Sequence, residues 1–307
     1  MIARWRPHLF VFLVFLLSIS VISFLNSAKK IKSGLRAVKN NLTHSLPLSS
    51  SSTHDNPPEK PPFGAVVAAA QYGTDLDWMN NFKQNWLTYA YDVNNPKNDD
   101  PRLRFPMSKG HEAMIYLSYI IESYDSLPWC VIFVHGHREA WHQEDTIEHL
   151  LSDLNHTALA NVGYINLRCD WYPSCPAEIR PVTHDAKAWG PGVLRKESEV
   201  AIAGNWKQLF PGIGLPETIA SQCCAQFAVT RRAILQRPKS DYEMMREWLI
   251  GTLLVDDVSG RVFEKLWAYI FTGEAVHCPP PQTCSCEFFG RCEPRMWNEF
   301  PDNNANP

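Results

Sequence analysis

A short polar segment that follows an apolar run carries the side chains best suited to chemistry. Residues 129–145 read WCVIFVHGHREAWHQED, and Cys130 to Val134 predict a buried strand because they are mostly β-branched or aromatic. Histidines two positions apart lie on the same side of an extended chain, and a glycine between them lets a ligand come close. We therefore expect a site beyond this strand, formed by His135, His137, His142 and Glu139.

The three imidazoles indicate a divalent metal. Imidazole nitrogen suits Zn²⁺, Fe²⁺ or Mn²⁺ better than Mg²⁺, so His135, His137 and His142 are candidate ligands. The alternative is that the rings only hydrogen-bond neighbouring carbonyl groups, because short motifs also occur by chance. The protein would then be a non-catalytic module.

The elements around this strand alternate between strands and helices. Residues 64–72 and 86–93 predict strands, as do Val162 to Arg168. Apolar residues at helical spacing between Ser108 and Leu127 predict an amphipathic helix that leads into the central strand. This alternation predicts an α/β fold with a mostly parallel sheet flanked by helices.

Polar residues predict where several helices begin. Asp145 with Glu148, and Ser240 with Glu243, have the spacing of a capping box, which gives Asp145 a structural role. Asp75 and Asp77 form a D-x-D pair, but acidic residues are also favoured in a first helical turn by the helix dipole. Further helices are predicted at 195–210 and 259–271.

The chain divides by composition into four parts. Leu9 to Leu25 is uncharged and 17 residues long, so we expect a single membrane anchor within 1–28, with a cleaved signal peptide as the alternative. Residues 29–62 form a Ser- and Pro-rich stem, 63–275 a globular α/β domain, and 276–307 a Cys-rich tail.

Two kinds of evidence disagree about which side of the membrane the domain occupies. More basic residues follow the anchor than precede it, which places the domain in the cytosol. The acceptor sequences at Asn41 and Asn155 and the cysteine content favour an oxidising lumen, and we expect the endoplasmic reticulum or Golgi. A net charge of −3 provides no basic face for nucleic acid.

The nine cysteines predict disulfides. Four of them lie in the tail and are expected to form two pairs: Cys278, Cys284, Cys286 and Cys292. The spacing of these four fits a zinc site poorly. Cys169 and Cys175 bracket a tight loop, and the adjacent Cys223 and Cys224 could pair with the tail; the sequence does not determine the connectivity. Cys130 then remains as a buried free thiol.

Several separated motifs resemble a fungal family, domain of unknown function 3431. They are Gly110-His111-Glu112-Ala113 before Tyr116-Leu117, the strand VIFVHGH, the segment LRCDWYPSCP and the stretch CCAQFAVTRRAILQRP. The resemblance covers nearly all of Gly64 to Cys292 and implies no activity.

A second resemblance is to GT-A glycosyltransferases. Val66 to Tyr72 resembles their first nucleotide-binding strand, and Phe227 to Arg232 with Phe263 to Trp267 resembles their acceptor side. GT-A enzymes usually hold Mn²⁺ or Mg²⁺ with a D-x-D at the end of a central strand, whereas here the corresponding strand ends in His135-Gly136-His137.

The GT-A resemblance implies a membrane-anchored enzyme that transfers a sugar from a nucleotide-sugar donor to a glycan or protein acceptor. Catalysis would need a base at the acceptor hydroxyl, for which the candidates are Glu139, Asp170 and Glu264. Without a metal, Arg138 or Arg168 would face the phosphates.

The sequence is compatible with one further enzyme class and excludes another. A metal-dependent hydrolase or oxygenase would use the His-x-His strand end with His142 and a carboxylate. An α/β-hydrolase is excluded because no G-x-S-x-G sequence occurs in the chain.

Overall fold

The computed structural model describes residues 56–71, 73–186 and 195–297. The chain divides into two units, Met1–Ser52 and Thr53–Pro307, and every described residue lies in the second. The expected anchor at 1–28, the acceptor sequence at Asn41 and most of the stem at 29–62 therefore lie outside the described residues. Within the described ranges, no helix is both long and apolar enough to cross a membrane.

The strands and helices alternate along the chain. The strands are β1 (Ala65–Ala70), β2 (Leu87–Asp92), β3 (Cys130–His135), β4 (Tyr164–Asn166), β5 (Ala220–Ser221), β6 (Phe227–Thr230) and β7 (Val276–His277). The α-helices are α1 (Glu112–Ser123), α2 (Ile147–Asp153), α3 (His156–Val162), α4 (Arg195–Leu209), α5 (Arg231–Ile234), α6 (Lys239–Gly251), α7 (Asp256–Thr272) and α8 (Pro281–Phe289). Short 3₁₀ helices occupy Asp77–Phe82, Pro101–Leu103 and Tyr124–Ser126.

The main sheet has five strands in the order β2-β1-β3-β6-β4. β1 pairs in parallel with both β2 and β3, whereas β6 is antiparallel to both of its neighbours. Four of the five strands therefore run in the same direction, which confirms the prediction of a mostly parallel sheet. β5 and β7 form a separate parallel pair.

Helices cover both faces of the main sheet because successive strand side chains point to opposite sides. Val67 of β1 and Phe133 of β3 belong to a core with α1, α4, α6 and α7. Val66 and Ile132 belong to a second core with the 3₁₀ helix Asp77–Phe82 and with α2 and α3. Both faces are buried, which explains the continuous apolar sequence of β1 and β3.

The predicted capping boxes name the wrong residues. α2 is capped by Thr146, whose hydroxyl accepts a hydrogen bond from the His149 amide. Asp145 instead accepts from the Thr146 amide, so it supports the cap from one residue upstream. α6 begins after Pro238 without a side-chain cap. The spacing of a capping box did not locate these helix starts, because the same sequence pattern remains when the true cap lies one or two residues away.

The disulfides tie the tail to the domain. Cys169 bonds to Cys284 and Cys175 bonds to Cys278. The tail therefore contains one internal pair, Cys286–Cys292, rather than the expected two. Cys223 and Cys224 bond to each other, so they do not pair with the tail as their sequence would have allowed. Cys130 is a buried free thiol, as predicted.

Candidate functional site

A cleft of about 310 Å³, the carboxylate cleft, opens at the carboxyl edge of the sheet. Its lining residues lie at or just after the ends of β1, β2 and β3, at the start of α1, and between the first turn and the middle of α7: Gln71, Val93, His135, His137, His111, Glu112, Asp257, Arg261 and Glu264. β2 and β3 lie on opposite sides of β1, so the strand order reverses here. Ligands of open α/β sheets bind in the crevice at such a reversal.

Glu112 is placed in the cleft by a tight contact between α1 and α7. Gly110 and His111, with φ of 63° and 53°, turn the chain into α1 directly before Glu112. A Cβ on Gly260 of α7 would lie 2.9 Å from the Gly110 carbonyl oxygen, so only glycine allows the two helices to approach this closely. Burial, and to a smaller extent the charge of Glu264, raise the pKa of Glu112 to about 7.

Glu264 lies in the same cleft but is held in its ionised form. Burial alone would raise its pKa, but Lys265 and Arg261 outweigh burial and lower it. The Lys265 Nζ lies 3.2 Å from a Glu264 carboxylate oxygen and 2.8 Å from one of Glu178. Arg261 lies 3.9 Å from the other Glu264 oxygen. Lys265 is buried between its two partners, so its ammonium group stays charged.

The cleft thus contains two carboxyl groups of unlike protonation. Near neutral pH Glu264 is ionised, and Glu112 exchanges its proton. Environments that push the pKa values of two neighbouring acids apart are typical of an acid/base pair in catalysis.

His135 and His142 are neutral neighbours beneath the cleft. Burial lowers the pKa of each imidazole to about 4. Their ring centroids lie 5.3 Å apart with the rings nearly perpendicular. The Nε2 atom of each is buried and makes no hydrogen bond to a described residue. Two neutral rings of this kind bind neither protons nor anions strongly at pH 7.

His137 is exposed and stands between the carboxylate cleft and a second cleft. In the described ranges, no three His, Cys, Asp or Glu side chains are grouped so that they could hold a metal ion. His135, His137 and His142 therefore do not form such a group as placed.

Arg138 and Glu139 line the second cleft. Arg138 Nε donates to a Glu148 oxygen at 2.8 Å, and Arg138 lies 4.0 Å from Glu139. Both side chains are exposed. Neither lines the carboxylate cleft, so Glu139 is not placed beside Glu112 and Glu264.

Arg168 and Asp170 lie outside the carboxylate cleft, in the loop after β4. Arg168 is buried, and its Nη1 donates to the carbonyl of His142 at 2.6 Å. Burial lowers its pKa. Glu144 accepts hydrogen bonds from the amides of Cys169 and Asp170, both at 2.8 Å. This network supports the loop that carries His142.

The site combines predicted and unpredicted residues. Of the predicted set, Glu264, His135 and His137 line the carboxylate cleft, whereas Glu112 and Arg261 were not singled out as site residues. A signal was present for Glu112, because a Gly-His-Glu sequence at the start of a helix places an acid beside unpaired backbone amides. Arg261 lies among apolar residues in the sequence of α7, and no comparable pattern indicated that it belongs to a site.

The comparisons with known proteins identify a family and no individual relative. Neither the curated proteins nor the solved structures contain a match to the chain. One family model, "Protein of unknown function (DUF3431)", matches residues 66–287, which include every strand of the main sheet except the first residue of β1, as well as the carboxylate cleft. With more than half of its length matched, this chain belongs to the DUF3431 family.

Proposed function

We propose that this protein is a glycosyltransferase-like enzyme that moves a sugar from a nucleotide-sugar donor to an acceptor hydroxyl in the carboxylate cleft. The observation that carries the proposal is the pair Glu112 and Glu264, which differ in protonation and lie together where the strand order reverses. The resemblance of the strands and of α7 to GT-A enzymes supports the same choice of chemistry.

Each charged group has a role in this reaction. Ionised Glu112 accepts the proton of the acceptor hydroxyl, since a pKa of about 7 leaves a large fraction ionised at neutral pH. The acceptor oxygen bonds to the anomeric carbon as the bond from that carbon to the diphosphate oxygen breaks. Arg261 stabilises the departing diphosphate, and ionised Glu264 stabilises positive charge on the sugar.

The proposal includes the location inferred from the sequence. A single N-terminal anchor and a luminal domain in the endoplasmic reticulum or Golgi agree with disulfide bonding of eight of the nine cysteines, the four pairs described above. Protease protection of the domain in sealed microsomes, together with a mobility shift on endoglycosidase treatment, tests this location.

Glycoside hydrolysis is the second candidate because the cleft has three carboxyl groups and a single guanidinium or ammonium group. Glu112, Glu264 and Asp257 line it together with Arg261, and this excess of acidic groups suits a neutral sugar better than a diphosphate. Protonated Glu112 would then act as the general acid on the glycosidic oxygen, with water as the nucleophile.

Turnover assays on the full chain in detergent separate the two candidates. Release of nucleoside diphosphate from a panel of nucleotide sugars supports the transferase, whereas cleavage of aryl glycosides supports the hydrolase. Glu112→Gln should abolish whichever activity is found. Glu122→Gln on the exposed side of the same helix is the matched control and should retain it. Full activity of Glu112→Gln would refute the assignment of the site.

A further inference from the structure

Two more clefts continue from the carboxylate cleft along the surface. The middle cleft, of about 640 Å³, shares Gly136 and His137 with the carboxylate cleft. The aromatic cleft, of about 540 Å³, shares Asn81 and Glu148 with the middle cleft. Because each neighbouring pair has two lining residues in common, the three clefts form one groove.

The junction at Gly136 has a fixed backbone. A Cβ at this position would lie 2.6 Å from the Ala70 Cβ and 2.7 Å from the Ala70 Cα, so the chain packs directly against the end of β1. The indole nitrogen of Trp78 donates to the Gly136 carbonyl at 3.1 Å. The backbone that the carboxylate and middle clefts share is therefore held in place by the fold.

The middle cleft presents groups that bind hydroxyls. Hydroxyl, carboxylate and amide side chains line it: Thr74, Asp75, Asp77, Asn81, Glu139 and Glu148. Such oxygens accept from hydroxyl groups, and the amide of Asn81 also donates. Arg138 is already bonded to Glu148 at 2.8 Å, so the cleft has an excess of negative charge. That excess disfavours a polyanion and leaves neutral polyols as the matching ligand.

The aromatic cleft adds aromatic rings at the far end of the groove, with Phe63 and His156 half-buried at its surface and Trp86 buried behind them. The rings of Phe63, Trp86 and His156 pack together, with centroids 6.1, 5.4 and 5.8 Å apart in the pairs Phe63–Trp86, Phe63–His156 and Trp86–His156. Burial lowers the pKa of His156, which keeps its ring neutral. Asn85 stands beside these rings. Aromatic faces with nearby polar groups match the apolar C–H faces and hydroxyls of a sugar ring.

We propose that this groove binds the acceptor as an extended neutral oligosaccharide. The reacting sugar lies in the carboxylate cleft, and the following units lie in the middle and aromatic clefts. Placing the reacting end there rests on the proposed function, whereas binding along the groove requires no turnover and is testable by itself.

The experiment measures binding of neutral oligosaccharides of one to six units, with several linkages, to the full chain by calorimetry without a donor. Affinity should rise with length beyond two units and then level off. Asn81→Ala, at the junction of the middle and aromatic clefts, should weaken binding of the longer ligands about tenfold and leave the monosaccharide unchanged. Asn80→Ala is the matched control, because Asn80 is an exposed neighbour that lines none of the three clefts.

The outcomes separate this inference from the proposed function. Binding that does not depend on length, or an equal effect of the two asparagine variants, would overturn the groove even if sugar transfer is found. Length-dependent binding that is lost in Asn81→Ala supports the groove even if no nucleotide sugar is turned over. Stronger binding of a polyanionic oligosaccharide of the same length would also overturn the inference.

Discussion

Replacing Glu112 with glutamine should stabilise the protein at alkaline pH. Glutamine resembles the protonated carboxyl group in shape and cannot ionise in the buried cleft. Burial raises the pKa of Glu112 from 4.5 to about 7 in the folded protein. The folded state therefore binds a proton more tightly than the unfolded chain, and stability is lost as the pH rises from about 4.5 to about 7.

The size of the effect follows from the difference in pKa. A difference of about 2.5 at about 1.36 kcal/mol per pKa unit corresponds to about 3 kcal/mol in the free energy of unfolding above pH 7. This value is an upper limit, because Glu112 lines an open cleft and retains partial contact with water. Below about pH 4 both states hold the proton, so glutamine and glutamate should be nearly equivalent there.

The assay is urea unfolding of the full chain in detergent, followed by tryptophan fluorescence at pH 4, 6 and 8 with the disulfides intact. Glu112→Gln should gain up to about 3 kcal/mol over the native protein between pH 4 and pH 8. Glu122→Gln, on the exposed side of the same helix, should change by no more than about 0.5 kcal/mol across this range. An equal difference at all three pH values, or a Glu112→Gln variant that is least stable at pH 8, would refute the reasoning.

Three further predictions concern stability and use the same unfolding assay. Lys265→Met should cost about 3–5 kcal/mol, since it leaves two buried carboxylates without their shared cation; unchanged stability would show that these groups are not ionised. Gly64→Ala should cost about 1–3 kcal/mol because the new Cβ would lie 2.5 Å from the Cys130 carbonyl oxygen, whereas Gly204→Ala, with open space around it in α4, should be neutral or slightly stabilising. Replacing Cys175 and Cys278 with serine leaves the nearby Cys169–Cys284 link in place, so the loop that opens is only about 15 residues long and the cost should be about 3 kcal/mol; a loss below about 1 kcal/mol would contradict the pairing.

Local patterns were sufficient to predict most of the strands and their arrangement. The apolar run before His135 and the run from Ala65 to Ala70 are both strands of the main sheet. Burial on both faces removes the alternation of polar and apolar residues, so these runs are visible without any knowledge of distant contacts. α4 was likewise predicted to within one residue at its end. Residues Asp77–Phe82 form a 3₁₀ helix, whereas acidic residues at this point of the sequence are equally typical of the first turn of an α-helix.

Contacts between distant segments decided the composition of the site. Glu112 begins α1 and Glu264 lies within α7, and they share a cleft only because glycines at 110 and 260 let the two helices meet. The low pKa of Glu264 depends on Lys265 and Arg261, and Lys265 is itself paired with Glu178, which lies in a loop far along the chain. Spacing within one segment contains no information about such an encounter.

Residue patterns along the chain predicted the α/β alternation, a cleft at the carboxyl edge of β3 and the free thiol of Cys130. They did not predict which acids share that cleft, which histidines are buried and neutral, or which cysteines pair. Secondary structure follows from residues near one another in the chain, whereas pKa values and disulfide partners depend on burial and on groups brought together by folding.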